Sequence, residues 1–132
     1  MQFSGNCLCG AVRVTTEAAP IKVMHCHCGM CRRHSGAAFL TYAMFAKVAV
    51  QFSGQPAVPY RSSKSACRSH CGNCGSPTAF VYDDDPKVIY LPLGMFDQAD
   101  QMLPSEHWQA DDMLPWLHIE DGLLRHVGLP DA

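Results

Sequence analysis

The chain has 132 residues, of which 48% are apolar and 17% charged, with eight cysteines and a formal net charge of -2. That length suits one domain, 1–132, whose core would bury roughly two-thirds of the surface the unfolded chain exposes. The near-neutral charge offers no electrostatic reason for a DNA or RNA partner, and the apolar content is wrong for a disordered tail.

In chain order, Met1-Gln2-Phe3-Ser4-Gly5 lacks a charged region followed by an apolar core, so nothing marks a secretory signal. The pair Cys7-Leu8-Cys9-Gly10 follows, read as extended backbone in which residues i and i+2 face the same way. Alternating apolar residues predict strands at 12–16 and 21–25. The second strand runs into Cys26-His27-Cys28-Gly29-Met30-Cys31, and residues 29–34 suit a turn or two of helix ending in Arg32-Arg33-His34. Further strands are expected at 38–44, 48–52 and 58–61, with Ser53-Gly54 as a break. The least polar stretch, 37–50, is interrupted by Lys47 and is shorter than the about 20 residues a bilayer demands. A cytoplasmic protein without membrane contact is expected.

After Cys67 comes Cys71-Gly72-Asn73-Cys74-Gly75, then expected strands at 78–82 and 88–93, broken by Asp83-Asp84-Asp85-Pro86 and by residues 92–94. Residues 113–118 suit another helical turn. The rest of the C-terminal stretch, with Pro104, Trp108, Pro115 and Trp116, is read as irregular chain that packs two large aromatics onto the sheets. The fold class is mainly β, built of small antiparallel sheets.

In a reducing compartment, clustered cysteines are better explained by metal than by disulfides. Cys7 and Cys9 with Cys71 and Cys74 make two pairs that can close a four-thiolate zinc site, with Gly75 free to take the positive φ of a Cys-x-x-Cys-Gly turn. Cys26, Cys28 and Cys31 make a three-thiolate group, and three protein ligands leave a fourth position for chemistry. His25 and His27 should point to the face opposite Cys26 and Cys28, as surrounding or proton-handling groups. Cys67 is open between two roles: a fourth ligand that closes the second site, or a free buried thiol on a strand.

The ordered set Gly5-x-Cys7-x-Cys9-Gly10-Ala11-Val12-Arg13, His25-Cys26-His27-Cys28-x-x-Cys31-Arg32, Gly36-Ala37-Ala38-Phe39 and Cys71-x-x-Cys74-Gly75-Ser76-Pro77 resembles the glutathione-dependent formaldehyde-activating enzyme family, also named for the centromere protein V domain. The likeness extends to Trp116 and Asp121-Gly122-Leu123, while His70 stands where the family often has Phe and Cys67 lies outside its motif. The resemblance implies a β-tent fold stapled by two zinc ions, one structural on Cys7, Cys9, Cys71 and Cys74 and one reactive on Cys26, Cys28 and Cys31. It further implies glutathione as co-substrate and carbon-sulfur bond formation or cleavage, that is, a carbon-sulfur lyase of the S-(hydroxymethyl)glutathione synthase kind.

On that expectation a thiol adds to a small aldehyde such as formaldehyde at the second zinc. His27 or His34 protonates the alkoxide, and Arg32 and Arg33 hold the carboxylates of the tripeptide. The competing expectation is a non-catalytic two-zinc binding module in which both metals are structural, favoured if Cys67 supplies an eighth ligand. A thiol-disulfide oxidoreductase using Cys71 and Cys74 is disfavoured, because no βαβ pattern surrounds the pair. Exposed strand edges leave a homodimer open.

Overall fold

A computed structural model describes residues 2–130. Its strands are β1 (Phe3–Asn6), β2 (Val12–Thr16), β3 (Lys22–Cys26), β4 (Leu40–Ala46), β5 (Val50–Gly54), β6 (Val58–Arg61), β7 (Ala66–His70), β8 (Pro77–Tyr82), β9 (Val88–Pro92), β10 (Glu106–Trp108) and β11 (Leu124–Arg125). One α-helix, α1 (Gly29–Ser35), lies between β3 and β4, and short 3-10 turns punctuate the rest.

The strands form a three-stranded sheet, ordered β1-β2-β5, and an eight-stranded sheet, ordered β11-β10-β3-β4-β9-β8-β7-β6. The expectation of small antiparallel sheets is corrected here in two respects. The second sheet is large, and β10 runs parallel to both β3 and β11. Parallel pairing arises because β10 returns to the β3 edge only after the chain has built the other half of the sheet, a connection far longer than a hairpin.

Side-chain alternation gives the eight-stranded sheet two different faces. Val23, Ala43, Phe45, Ile89 and Leu91 project toward the three-stranded sheet and join Phe3, Val14 and Phe96 in one core. Burying a side chain such as Phe45 or Leu91 there stabilises the fold by roughly 1.5–3 kcal/mol. The intervening residues, Met24, Cys26, Tyr42, Phe80, Tyr90 and Trp108, form a second cluster on the opposite face. Aromatics and thiols therefore share a surface that the first core does not fill.

Gly5 shows why a glycine stands in β1: a Cβ there would run into the carbonyl of Met95, where the two chains cross in an isolated bridge to Phe96.

The expected strands at 12–16 and 58–61 match in extent, and the others are shifted by one or two residues. Strands β1, β10 and β11 were not expected, and β7 was foreseen only as a strand carrying Cys67, without a range. Trp108 is a buried residue of β10 rather than part of irregular chain, and Trp116 is 65% exposed rather than packed on a sheet. Residues 113–118 form no helix; a 3-10 turn at Ala110–Asp112 precedes them, followed by a single turn closed from Leu117 N–H to Leu114 O. Pro115 in that stretch removes a donor and disfavours helix at Leu114 before it. Among the described residues, no helix is long and apolar enough to cross a membrane.

Candidate metal centre

Two groups of cysteines converge, Cys7 with Cys9, Cys71 and Cys74, and Cys26 with Cys28 and Cys31; within each, the sulfurs lie within 4.8 Å of one another. The first group forms where the turn after β1 meets the turn after β7. Cys7 to Gly10 is a tight turn closed by Gly10 N–H to Cys7 O at 3.0 Å, so Cys9 reaches the site by chain reversal and not by the extended alternation expected. Gly75 takes φ 80° in the opposing turn, where Gly75 N–H bonds Cys71 O at 2.9 Å.

Sulfurs held about 2.3 Å from a tetrahedral zinc lie about 3.8 Å apart. Cys7 and Cys9 stand at 3.7 Å, and Cys9 and Cys71 at 3.8 Å. The donor set and spacing therefore fit a tetrahedral metal with little movement. Backbone N–H groups of Val12, Asn73 and Cys74 and the Asn73 side chain donate to these sulfurs, as groups around a metal-thiolate site do. A hydrogen bond with the Ser76 hydroxyl holds the Cys74 thiol down at about 5.

The second group is arranged by a strand end and a helix start. Cys26 ends β3, Cys28 is the N-cap of α1 with its sulfur accepting from Cys31 N–H at 3.3 Å, and Cys31 lies in the first turn. The sulfurs of Cys26 and Cys28 are 3.5 Å apart, and those of Cys31 and Cys26 are 3.0 Å apart. These spacings are tighter than a tetrahedral edge, so the sulfurs part by several tenths of an ångström to take a metal. Among the described residues, no fourth Cys, His, Asp or Glu joins the three. Hydrogen bonds from Cys26 and Cys31 push the Cys28 thiol down to about 2, with the Arg68 charge adding to the effect.

The three cysteines open onto a cleft of about 190 Å³ walled by Tyr42, Phe80, Tyr82, Tyr90 and Trp108. Arg68 on β7 also lines it, although only 5% exposed. Its Nη1 donates to the Tyr42 hydroxyl at 2.9 Å, its Nη2 meets the Cys31 sulfur at 3.7 Å, and the guanidinium lies 4.5 Å over the Phe80 ring. Burial raises the Tyr42 hydroxyl well above its ordinary value, so the phenol keeps its proton. None of these residues belongs to a cysteine motif. The one signal in the sequence is the pair Phe80 and Tyr82, two aromatics at alternate positions of an expected strand.

Cys67 lies outside both groups. On β7 it alternates with Ala66 and Arg68, and its thiol lines a separate groove of about 460 Å³ with Phe52 and Val81. That arrangement removes it as a ligand of the second site.

The histidines sort by face. His27 is fully buried, and its Nε2 shares a hydrogen bond with His107 Nδ1 at 2.8 Å, while His107 Nε2 meets Asp121 Oδ2 at 2.8 Å. His25 pairs across β3 and β10 with His107 and bonds Thr41 through Nδ1 at 2.6 Å. Burial first, then His107 and His25, push His27 down to about 4. Neither His25 nor His27 lines the aromatic cleft. His34, near the end of α1, is held below its ordinary value by burial and by the charges of Arg68 and His70. Arg32 donates to His27 O at 3.4 Å and Asp112 O at 2.8 Å, which ties α1 to the 3-10 turn at Ala110–Asp112, and Arg33 is exposed.

A family model described as "Glutathione-dependent formaldehyde-activating enzyme" matches residues 2–112. That span contains every clustered cysteine and ends before Trp116 and Asp121. An uncharacterised lyase of Schizosaccharomyces pombe is 28% identical over 111 residues, covering 84% of this chain and 80% of the relative. A crystal structure of a Rhodobacter sphaeroides protein shares the fold, with a TM-score of 0.63 at 21% identity over 80% of this chain and 98% of that one.

Proposed function

The chain belongs to the glutathione-dependent formaldehyde-activating enzyme family, and on that premise we propose that it is a zinc-dependent carbon-sulfur lyase that joins a thiol such as glutathione to a small aldehyde. The observation that carries this reading is the second cysteine group: three thiols, no fourth protein ligand among the described residues, and a walled cleft in front of them. The yeast relative's name as a lyase agrees with it. On this reading the two sheets are the family's β-tent, Cys7, Cys9, Cys71 and Cys74 hold a structural zinc, and Cys26, Cys28 and Cys31 hold the reactive one.

A zinc ion on the three cysteines would supply a Lewis acid for a carbonyl oxygen and favour the thiolate form of a bound thiol. In the addition, the thiol sulfur bonds to the carbonyl carbon, the π pair moves onto oxygen, and the thiol proton ends on that oxygen. The product is a hemithioacetal, and the reverse is the lyase direction. Tyr42 accepts from Arg68, which leaves its own O–H to donate to the oxygen as charge grows there. Of the two histidines expected to move the proton, neither lines the cleft, and His27 faces the His107–Asp121 side of the sheet. The proton step is therefore assigned to Tyr42 on the cleft wall, and His27 to holding the β3 end in place. Arg32 is committed to backbone carbonyls, so Arg33 is the cation left at this rim for a tripeptide carboxylate.

The binding module with two structural metals would be favoured by Cys67 as an eighth ligand, and the groove that holds Cys67 withdraws that support. Native mass spectrometry of the reduced protein with glutathione tests the enzyme reading. Two zincs per chain and a glutathione adduct lost in Cys28→Ser are expected, with hemithioacetal formation faster than the already easy uncatalysed addition. Two zincs with neither adduct nor acceleration would sink it.

A further inference from the structure

The cleft in front of Cys26, Cys28 and Cys31 is larger and drier than formaldehyde calls for. Its volume is about 190 Å³ and its walls are mostly apolar, with the rings of Tyr42, Phe80, Tyr82, Tyr90 and Trp108 among them. An apolar protein cavity of about 150 Å³ is enough to take up benzene. An aldehyde of one carbon would leave those apolar walls facing trapped water, at the full cost of unburied apolar surface. A tripeptide fails for the opposite reason. Its charged ends need partners, and Arg68, the cation on the cleft wall, is already committed to Tyr42, Cys31 and the Phe80 ring.

The walls are also preformed. Phe80 and Tyr82 meet edge to face at 4.6 Å, and Tyr90 meets Trp108 in the same way at 5.8 Å, so each ring is braced by another. A polar group stands beside them under backbone strain. Gln109 lines the cleft with φ 55° and ψ 46°, the one non-glycine with positive φ among the described residues. Its N–H is anchored to Gly128 O at 2.7 Å, and its side-chain amide makes no hydrogen bond within the described residues. Strained residues of this kind concentrate where a ligand is held.

We propose that this cleft selects an aldehyde with a flat, aryl-sized body, an aromatic aldehyde, with the ring against the aromatic walls, the carbonyl toward the three cysteines and the Gln109 amide as the polar contact. The inference rests on the reading of the three-cysteine group as the reactive metal site. The thiol co-substrate then approaches from outside the cleft, with only its sulfur reaching in.

The test is a fluorine NMR titration of 4-fluorobenzaldehyde into the full, reduced, zinc-loaded chain without thiol, with benzaldehyde and propanal as competitors. Benzaldehyde should displace the reporter at a concentration at least about tenfold lower than propanal, as the extra buried apolar carbons require. Ala66→Leu adds bulk to the cleft lining at a residue only 3% exposed and should weaken reporter binding by about tenfold or more. Tyr82→Leu, which removes a ring from a half-buried position, should weaken it as well and stands in if Ala66→Leu does not fold. Equal competition by propanal, or unchanged reporter binding in a folded variant, would overturn the proposal. Zinc content, measured on the same samples, separates the two levels. One zinc per chain in the unaltered protein would overturn the metal reading whatever the aldehydes do, and with it this proposal's basis. Two zincs with no preference for benzaldehyde would overturn the aryl preference alone.

Discussion

Around the sulfurs of Cys7, Cys9 and Cys71 the chain places three backbone N–H donors and the Asn73 amide, at 3.3 to 3.4 Å. Around Cys26, Cys28 and Cys31 there is one backbone N–H at 3.3 Å and a longer Arg68 contact at 3.7 Å. Each N–H draws electron density from the sulfur that accepts it, so on the proposed reading the first group is quenched and the second left more nucleophilic. Ligand number points the same way, four against three. On the proposed reading the same residue type serves to hold the fold in one place and to present a reactive metal in the other, and the surrounding donors make the distinction.

The largest effect should come from breaking the quenched site. Cys71 is fully buried, and metal binding to four thiolates contributes on the order of 10 kcal/mol to folding, so Cys71→Ser should lose one zinc and its cooperative thermal transition. A variant that keeps both zincs and melts within about 4 °C of the parent would remove the structural role. Cys28→Ser is the matched experiment on the open site. Serine is a good N-cap and keeps the bond to Cys31 N–H, so α1 should persist while one zinc and the glutathione adduct are lost. Its melting temperature should fall by less than half as much as that of Cys71→Ser, and an equal fall would erase the contrast between the sites.

Tyr42→Phe acts on the open site alone. It removes the acceptor of a buried Arg68 N–H and should cost about 1–3 kcal/mol in stability, read from denaturant unfolding. The loss of the phenol should slow thiol addition by about 100-fold with zinc content unchanged. An unaffected rate would remove Tyr42 from the reaction.

The smallest effect concerns the histidine side of the sheet. Burial works against the charged form of Asp121, but the Leu123 N–H and His107 outweigh it and hold the carboxyl below its ordinary value. A carboxylate with a lowered native pKa adds stability above its unfolded value of about 4 and loses it as pH falls through the native value. The difference in melting temperature between the parent and Asp121→Asn should be constant above about pH 5 and close as the pH is lowered further. A difference that persists unchanged at the acid end would mean that the carboxylate charge plays no part.

Strands β2 and β6 were legible because an apolar or β-branched residue recurs at every second position between clear turn signals. The bounds of strand β7 were not, since its inward positions are Ala66 and Arg68, and a buried arginine breaks the pattern by which a strand is recognised. The brief β10 and β11 carry three and two residues, too few for any period, and are defined by the neighbour they pair with. Cys67 shows the limit for the site. Its distance in sequence from Cys71 allowed a fourth ligand, and the alternation of β7 turned it to the other face.

The sequence by itself determined which cysteines cluster locally, because those two or three positions apart converge through local turns, whereas the meeting of Cys7 and Cys9 with Cys71 and Cys74 was left to tertiary contact. It also determined the mainly β class, which follows from a short-range period. Only the tertiary structure decided what stands around the sulfurs. Tyr42, Arg68, Tyr90 and Trp108 come from four strands scattered along the chain, and they meet through the order β10-β3-β4-β9-β8-β7, which depends on long-range pairing that no local spacing encodes.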